Sequence, residues 1–164
     1  MKRYMKRTTL YLVYNELAFF IGGLAGGAVA LAMHLILGNN VNRTLLYGIV
    51  GVLADCAVAF WLMQRETYEE RSFSIHATIG SLLSVFIFRW VIVLLRGGDT
   101  GFLLCGSASM LLSVFFPFRE SVGTLMITLI AIDMLCLLPA FLAGGWWGLR
   151  RRKKEIETLT HHEA

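Results

Sequence analysis

Charge is scarce in this chain. Only 16% of its 164 residues are Asp, Glu, Lys or Arg, while 57% are hydrophobic; soluble domains carry about 25% charged residues. With a mean hydropathy of +0.66, that shortage excludes an ordinary water-soluble fold and a disordered chain. Cysteine is scarce too. Cys56, Cys105 and Cys136 lie in separate apolar stretches with no CxxC and no framework spacing, which excludes a disulfide scaffold.

Catalytic motifs are also missing. There is no HExxH, and Gly106-Ser107-Ala108-Ser109 has the wrong order for a GxSG serine. Asp55 and Asp133 lack the YD and GxGD settings of aspartyl intramembrane proteases, and Glu69-Glu70 is followed by Ser74 where an EExxxR motif needs Arg. Neither a Walker motif nor a dinucleotide fingerprint occurs. Asp55, Cys56, Asp133, Cys136 and His34 do not add up to a metal site, because adjacent helical residues diverge by about 100° and no HxxxH or CxxC reinforces them. The sequence predicts no enzyme, no catalytic residue, no metal and no cofactor.

The chain is instead built of long apolar runs. A hydrocarbon core about 30 Å thick needs about 20 apolar residues at 1.5 Å each. Four runs reach that length, at 10–37, 45–63, 75–95 and 122–147, separated by polar or charged connectors at 38–44, 64–74 and 96–101. The first run follows a basic start, as a secretory signal does, but far exceeds a signal core of about 7–15 residues and reads as a retained span. A fifth stretch, 102–116, ends at Pro117 and would be about 22 Å long as a helix. It reads as a short re-entrant or interfacial segment, with five full spans as the alternative.

A net charge of +4 invites a nucleic-acid partner, and position excludes one. Nine of the fifteen basic residues form two terminal clusters, Lys2, Arg3, Lys6 and Arg7 at the start and Arg150, Arg151, Arg152, Lys153 and Lys154 near the end. Each borders an apolar run, as juxtamembrane anchors do. Lys and Arg favour the cytoplasmic side of short loops. Four spans put eleven of them inside against Arg43, Arg96 and Arg119 outside, whereas five spans divide them seven to seven. The expected fold is therefore all-α, a polytopic transmembrane bundle of four spans. It forms a single domain over 1–149, followed by a basic then polar cytoplasmic tail over 150–164. Both termini are expected in the cytoplasm of a cell, in a membrane of the bacterial inner kind. Tyr11, Tyr14, Tyr47, Trp61, Tyr68, Trp146 and Trp147 stand near the run ends, where amphipathic rings favour the headgroup level.

Helices associate in lipid through small residues that let backbones approach. The first run carries Gly22, Gly23, Gly26 and Gly27, two overlaid GxxxG pairs. Projected at 100° per residue, Gly23, Gly27, Ala30 and His34 fall within about 40° of Glu16, which predicts a smooth groove with a carboxylate near its inner end and an imidazole near its outer end. Gly48, Gly51, Asp55 and Ala59 share one side of the second run; Asp133, Ala140 and Gly144 share one side of the last, with Cys136 adjacent. In the third run His76, Gly80 and Ser84 share a face, and Arg89 points away from it.

Three charges lie deep in the expected bilayer: Asp55, Arg89 and Asp133. Each costs on the order of 2.5–3.5 kcal/mol at the centre, so they are expected to meet. Two carboxylates against one guanidinium leave a surplus negative charge, to be met by a neutral Asp, a cation or a substrate amine. Arg89 and one Asp could equally fix helix register. Asp55, Arg89 and Asp133, with His34 and Glu16, are the candidate substrate or ion pathway, and Gly22, Gly23, Gly26, Gly27, Gly48, Gly51 and Gly144 the candidate packing positions. The expectation is a small transport or permeation component, acting as an oligomer or as a subunit of a larger membrane complex. The competing expectation is an accessory or scaffold protein that holds another membrane protein through its glycine faces. Partners would be the lipid bilayer, a second copy or another membrane subunit, and a cytoplasmic protein at 64–74 and the tail.

Overall fold

The computed structural model describes residues 2–38, 42–70, 72–96 and 122–162. They form four helices and, among the described residues, no strand: α1 (Lys2–Leu37), α2 (Arg43–Glu70), α3 (Ile75–Arg96) and α4 (Val122–His162). The segment 102–116, expected to be re-entrant, lies outside the described residues.

Local chemistry sets the helix ends. Gly38 adopts φ +65° after α1, the left-handed conformation that closes helices and that glycine takes without strain. Asn42 caps α2, its Oδ1 accepting from the Leu45 amide at 3.1 Å. Ser74 caps α3 in the same way, its Oγ accepting from the Ala77 amide at 3.2 Å. Both caps fill the donor deficit of a helix start.

Three helices run past the apolar segments that announce them, α1 beginning at Lys2 ahead of the run at 10–37. α2 continues through 64–70, where a connector was expected, and α4 continues through the expected tail to His162. Hydropathy marks where the bilayer ends, not where the hydrogen-bond ladder ends. The extensions are supported by ion pairs one turn apart, Arg65 with Glu69 at 2.9 Å and Arg151 with Glu155 at 3.2 Å, of the kind that favours exposed helix.

Side-chain contacts fix the directions. Gly22 and Gly26 of α1 lie against Gly51 and Tyr47 of α2, so these two are antiparallel. Gly144 and Gly148 of α4 lie against Phe60 and Gln64 of α2, so α2 and α4 run parallel. Arg7 bonds Ser72, and Arg89 bonds Glu16, so α1 and α3 run parallel. Both basic clusters and the α2–α3 turn therefore gather at one end of the bundle, and α3 finishes at the opposite end, where α4 begins. Four spans require that arrangement.

The buried stripes follow helical periodicity. On α1 the stripe is Tyr11, Asn15, Ala18, Gly22, Gly26 and Ala30; on α2 it is Gly48, Gly51, Asp55, Ala59, Met63 and Thr67. On α3 the packed face holds Thr78, Ser81, Val85 and Arg89, not His76, Gly80 and Ser84. Ser84 satisfies its hydroxyl on the Gly80 carbonyl at 2.7 Å, a local bond that lets it face outward. The large apolar side chains face outward as well: Phe20, Leu24, Leu31, Leu53, Leu83, Phe88 and Leu135 are all exposed. Inside, small and polar groups share the packing with Tyr11, Met63, Ile130 and Phe141, while so many Leu, Ile and Phe face outward that lipid is the solvent that suits the bundle. The chain is a multi-pass membrane protein.

Beyond Trp147, where the apolar part of α4 ends, α2 and α4 are tied by polar contacts. The Tyr68 hydroxyl donates to Glu155, and Arg152 donates to the Tyr68 carbonyl oxygen. The Tyr68 bond is the main reason the Glu155 carboxyl is held below its ordinary value; burial opposes it, and Arg151 and Arg152 add to the lowering. Tyr68→Phe is expected to return the Glu155 titration toward the ordinary carboxylate range, read by carboxyl-carbon NMR. Because the bonded form is the charged one, the Tyr68–Glu155 part of the tie is complete at neutral pH and weakens as pH falls through the lowered carboxylate range, while the Arg152 bond to the Tyr68 carbonyl is unaffected.

Candidate functional site

The site grows from one arginine. Arg89 sits on the packed face of α3 with 2% of its side chain exposed. Its Nη2 donates to both carboxylate oxygens of Glu16, at 3.1 Å each. The Glu16 side chain is 44% exposed. One turn further along α1, the Phe19 ring lies under the guanidinium, its centroid 4.1 Å from Cζ, so the cation has a carboxylate at its edge and a π face beneath it. Side chains on a helix lean toward its N-terminus. The N-terminus of α3 is at the basic end of the bundle, so Arg89 reaches back toward Glu16 rather than outward to the opposite surface.

Phe19 also forms one wall of a small cavity. The remaining walls are Val52, Asp55 and Cys56 from α2 and Asp133, Cys136 and Leu137 from α4. Asp55 and Asp133, both buried, thus come from different helices to the same space. Its volume is about 10 Å³, close to the least that holds one water. The Cys56 thiol donates to the Cys136 carbonyl at 3.7 Å, one turn before Pro139.

Gly22 is what gives Asp55 its place. A Cβ at residue 22 would run into the Asp55 carboxylate and come within 2.8 Å of the Gly51 carbonyl oxygen. Gly26 is equally tight, its Cβ position lying 2.7 Å from the Tyr47 carbonyl oxygen. Gly23 and Gly27 sit to one side, facing the Tyr47 side chain at 3.3 and 3.9 Å. The close-approach pair is therefore Gly22/Gly26, one residue off the groove expected through Gly23 and Gly27. Gly48 and Gly51 are buried on α2, and Gly144 abuts the Phe60 backbone. The glycine faces expected to receive a partner are taken up by the chain's own helices.

Four of the five candidate pathway residues, Glu16, Asp55, Arg89 and Asp133, come together around Phe19. His34 does not. It lies 18 residues from Glu16, about 27 Å along the helix, where its Nδ1 donates to the Gly38 carbonyl at 3.0 Å and closes the end of α1.

Sequence reasoning overlooked Asn15, which is fully buried and donates from its amide to the Met134 sulfur at 3.6 Å. Its Oδ1 is buried with no hydrogen-bond partner among the described residues. The signal was available: Asn15 falls on the same i, i+3, i+4 stripe as Tyr11, Ala18 and Gly22. Gly148 was also overlooked, although its Cβ position is 2.5 Å from the Gln64 carbonyl oxygen. Among the described residues no group of three or more His, Cys, Asp or Glu side chains is placed to hold a metal ion.

Comparison with family models, curated proteins and solved structures gave no match. The functional reading therefore rests on the site itself.

Proposed function

We propose that this chain is a small transport or permeation component of a cell membrane, working as an oligomer or as a subunit of a larger membrane complex, and that the ion handled at its Asp55–Asp133 cavity is the proton. Both termini lie in the cytoplasm on this reading, following the basic clusters. The observation that carries it is the sharing of one buried, water-sized cavity by carboxyls from α2 and α4. Two like charges in so small a space are costly, and a shared proton relieves that cost. A space for one water suits a proton and is far too small for an organic solute. Because the carboxyls belong to different helices, a shift of α2 against α4 changes how tightly the proton is held. That is the minimum a proton-linked step requires.

The accessory reading loses its proposed surface, since Gly22, Gly26 and Gly144 are occupied within the bundle. Among the described residues, the charged ends of α2 and α4 remain open to it as a docking region.

The test is proton flux in proteoliposomes carrying a pH-sensitive dye. Wild-type protein is expected to dissipate an imposed pH gradient. Asp55→Asn and Asp133→Asn are each expected to slow it at least tenfold while assembly, read by size-exclusion chromatography, is unchanged. Absence of wild-type flux, or variants that only fall apart, would refute the transport reading.

A further inference from the structure

We infer that α4 carries a binding site for the phosphate of an anionic phospholipid at the basic end of the bundle, separate from the buried carboxyl cavity. Trp147, Arg150, Arg151 and Lys154 line one groove of about 410 Å³. They stand at i, i+3, i+4 and i+7 and therefore on one helix face. All four are exposed, and no acidic side chain lines the groove.

The placement specifies the ligand. Trp147 ends the apolar part of α4, the depth at which indole rings meet headgroups, and the three cations follow within two turns, where a lipid phosphate lies. Arg150 is steadied by the Trp146 ring, 5.1 Å from its Cζ, and Arg151 by Glu155, whose Oε1 accepts from its Nε at 3.2 Å. With Glu155 set against Arg151, the face keeps an excess of two positive charges. A zwitterionic headgroup brings its own ammonium to offset them; an anionic one does not. The groove therefore favours phosphatidylglycerol-type lipids over phosphatidylcholine.

The experiment is a lipid titration of the full chain in mild detergent, read by native mass spectrometry, with phosphatidylglycerol, phosphatidylcholine and inorganic phosphate as separate arms. Phosphatidylglycerol is expected to stay bound where phosphatidylcholine is lost. Arg150→Gln and Lys154→Gln are expected to weaken it about fivefold each. Lys6→Gln removes an exposed cation from the other cluster and is expected to change it less than twofold. Equal retention of the two lipids overturns the site. So does a Lys6→Gln effect as large as those in the groove, which would mean a diffuse field. Displacement of phosphatidylglycerol by millimolar inorganic phosphate overturns the headgroup assignment in favour of a free phosphate ligand. All these substitutions lie at exposed positions, so thermal stability in detergent is expected to be unchanged and serves as the folding control.

Discussion

Gly144→Ala is expected to destabilise the bundle by about 3 kcal/mol, whereas Gly27→Ala, the same chemical change on α1, is expected to be neutral or mildly stabilising. At Gly144 the new methyl would run into the Phe60 backbone, which cannot rotate aside, so α2 and α4 must separate. Overpacking of that kind costs about 1–3 kcal/mol and sometimes more, and in lipid the lost contact is not replaced by a hydrophobic drive between helices. At Gly27 the Cβ position is 3.9 Å from the Tyr47 ring, ordinary van der Waals contact. There the roughly 1 kcal/mol advantage of alanine over glycine in helices acts without opposition. Thermal unfolding of the two variants in one detergent decides the matter. A Gly144→Ala variant as stable as Gly27→Ala would show that α2 and α4 do not meet at residue 144 as described.

Arg89→Met is expected to cost about 3 kcal/mol, the lower end of the range for removing one member of a buried ion pair, because the Glu16 side chain is 44% exposed. It takes the cation away from Glu16 and from the Phe19 face together. The paired change Glu16→Gln with Arg89→Met is expected to recover part of the loss, since it no longer leaves a carboxylate at membrane depth without its guanidinium. A double-mutant cycle by denaturant titration should give a coupling of about 0.5–3 kcal/mol between the two positions. Additive single effects would mean that Glu16 and Arg89 do not act as a pair in the folded protein.

The spans and the gathering of basic residues at one end were legible in the sequence because both are bulk properties. Twenty apolar residues cross a bilayer whatever they pack against, and Lys and Arg distribute by membrane side. The helix face was harder to read. Gly22/Gly26 and Gly23/Gly27 are equal GxxxG pairs 100° apart, and the choice is made by Gly51, Asp55 and the Tyr47 ring on another helix. The partner of Arg89 was hidden for a related reason. Depth counted along the chain puts Glu16 toward the basic end and Arg89 toward the opposite one, but a long side chain leaning toward its helix N-terminus closes that gap. Asp55 and Asp133 were legible as deep acids, though only tertiary packing could place them in one cavity with Phe19, Cys56 and Cys136. The extension of α2 through Glu70 and α4 through His162 was not legible, because hydropathy falls at the headgroups while helical hydrogen bonding continues through charged residues that favour it.

The seating of Asp55 against Gly22 bears on how the chain is made. The ribosome delivers α1 and α2 before α4, so the first hairpin enters the bilayer while Asp133 has yet to be synthesised. The seat of the Asp55 carboxylate at the bare backbone of Gly22 is built from α1 and α2 alone, so it needs no residue of α4. A methyl at residue 22 would displace the carboxylate from that seat before α4 is there to cover it. The burden of that substitution would thus fall on membrane insertion of the nascent hairpin, and quality-control proteolysis would register it before any assay of the finished protein could.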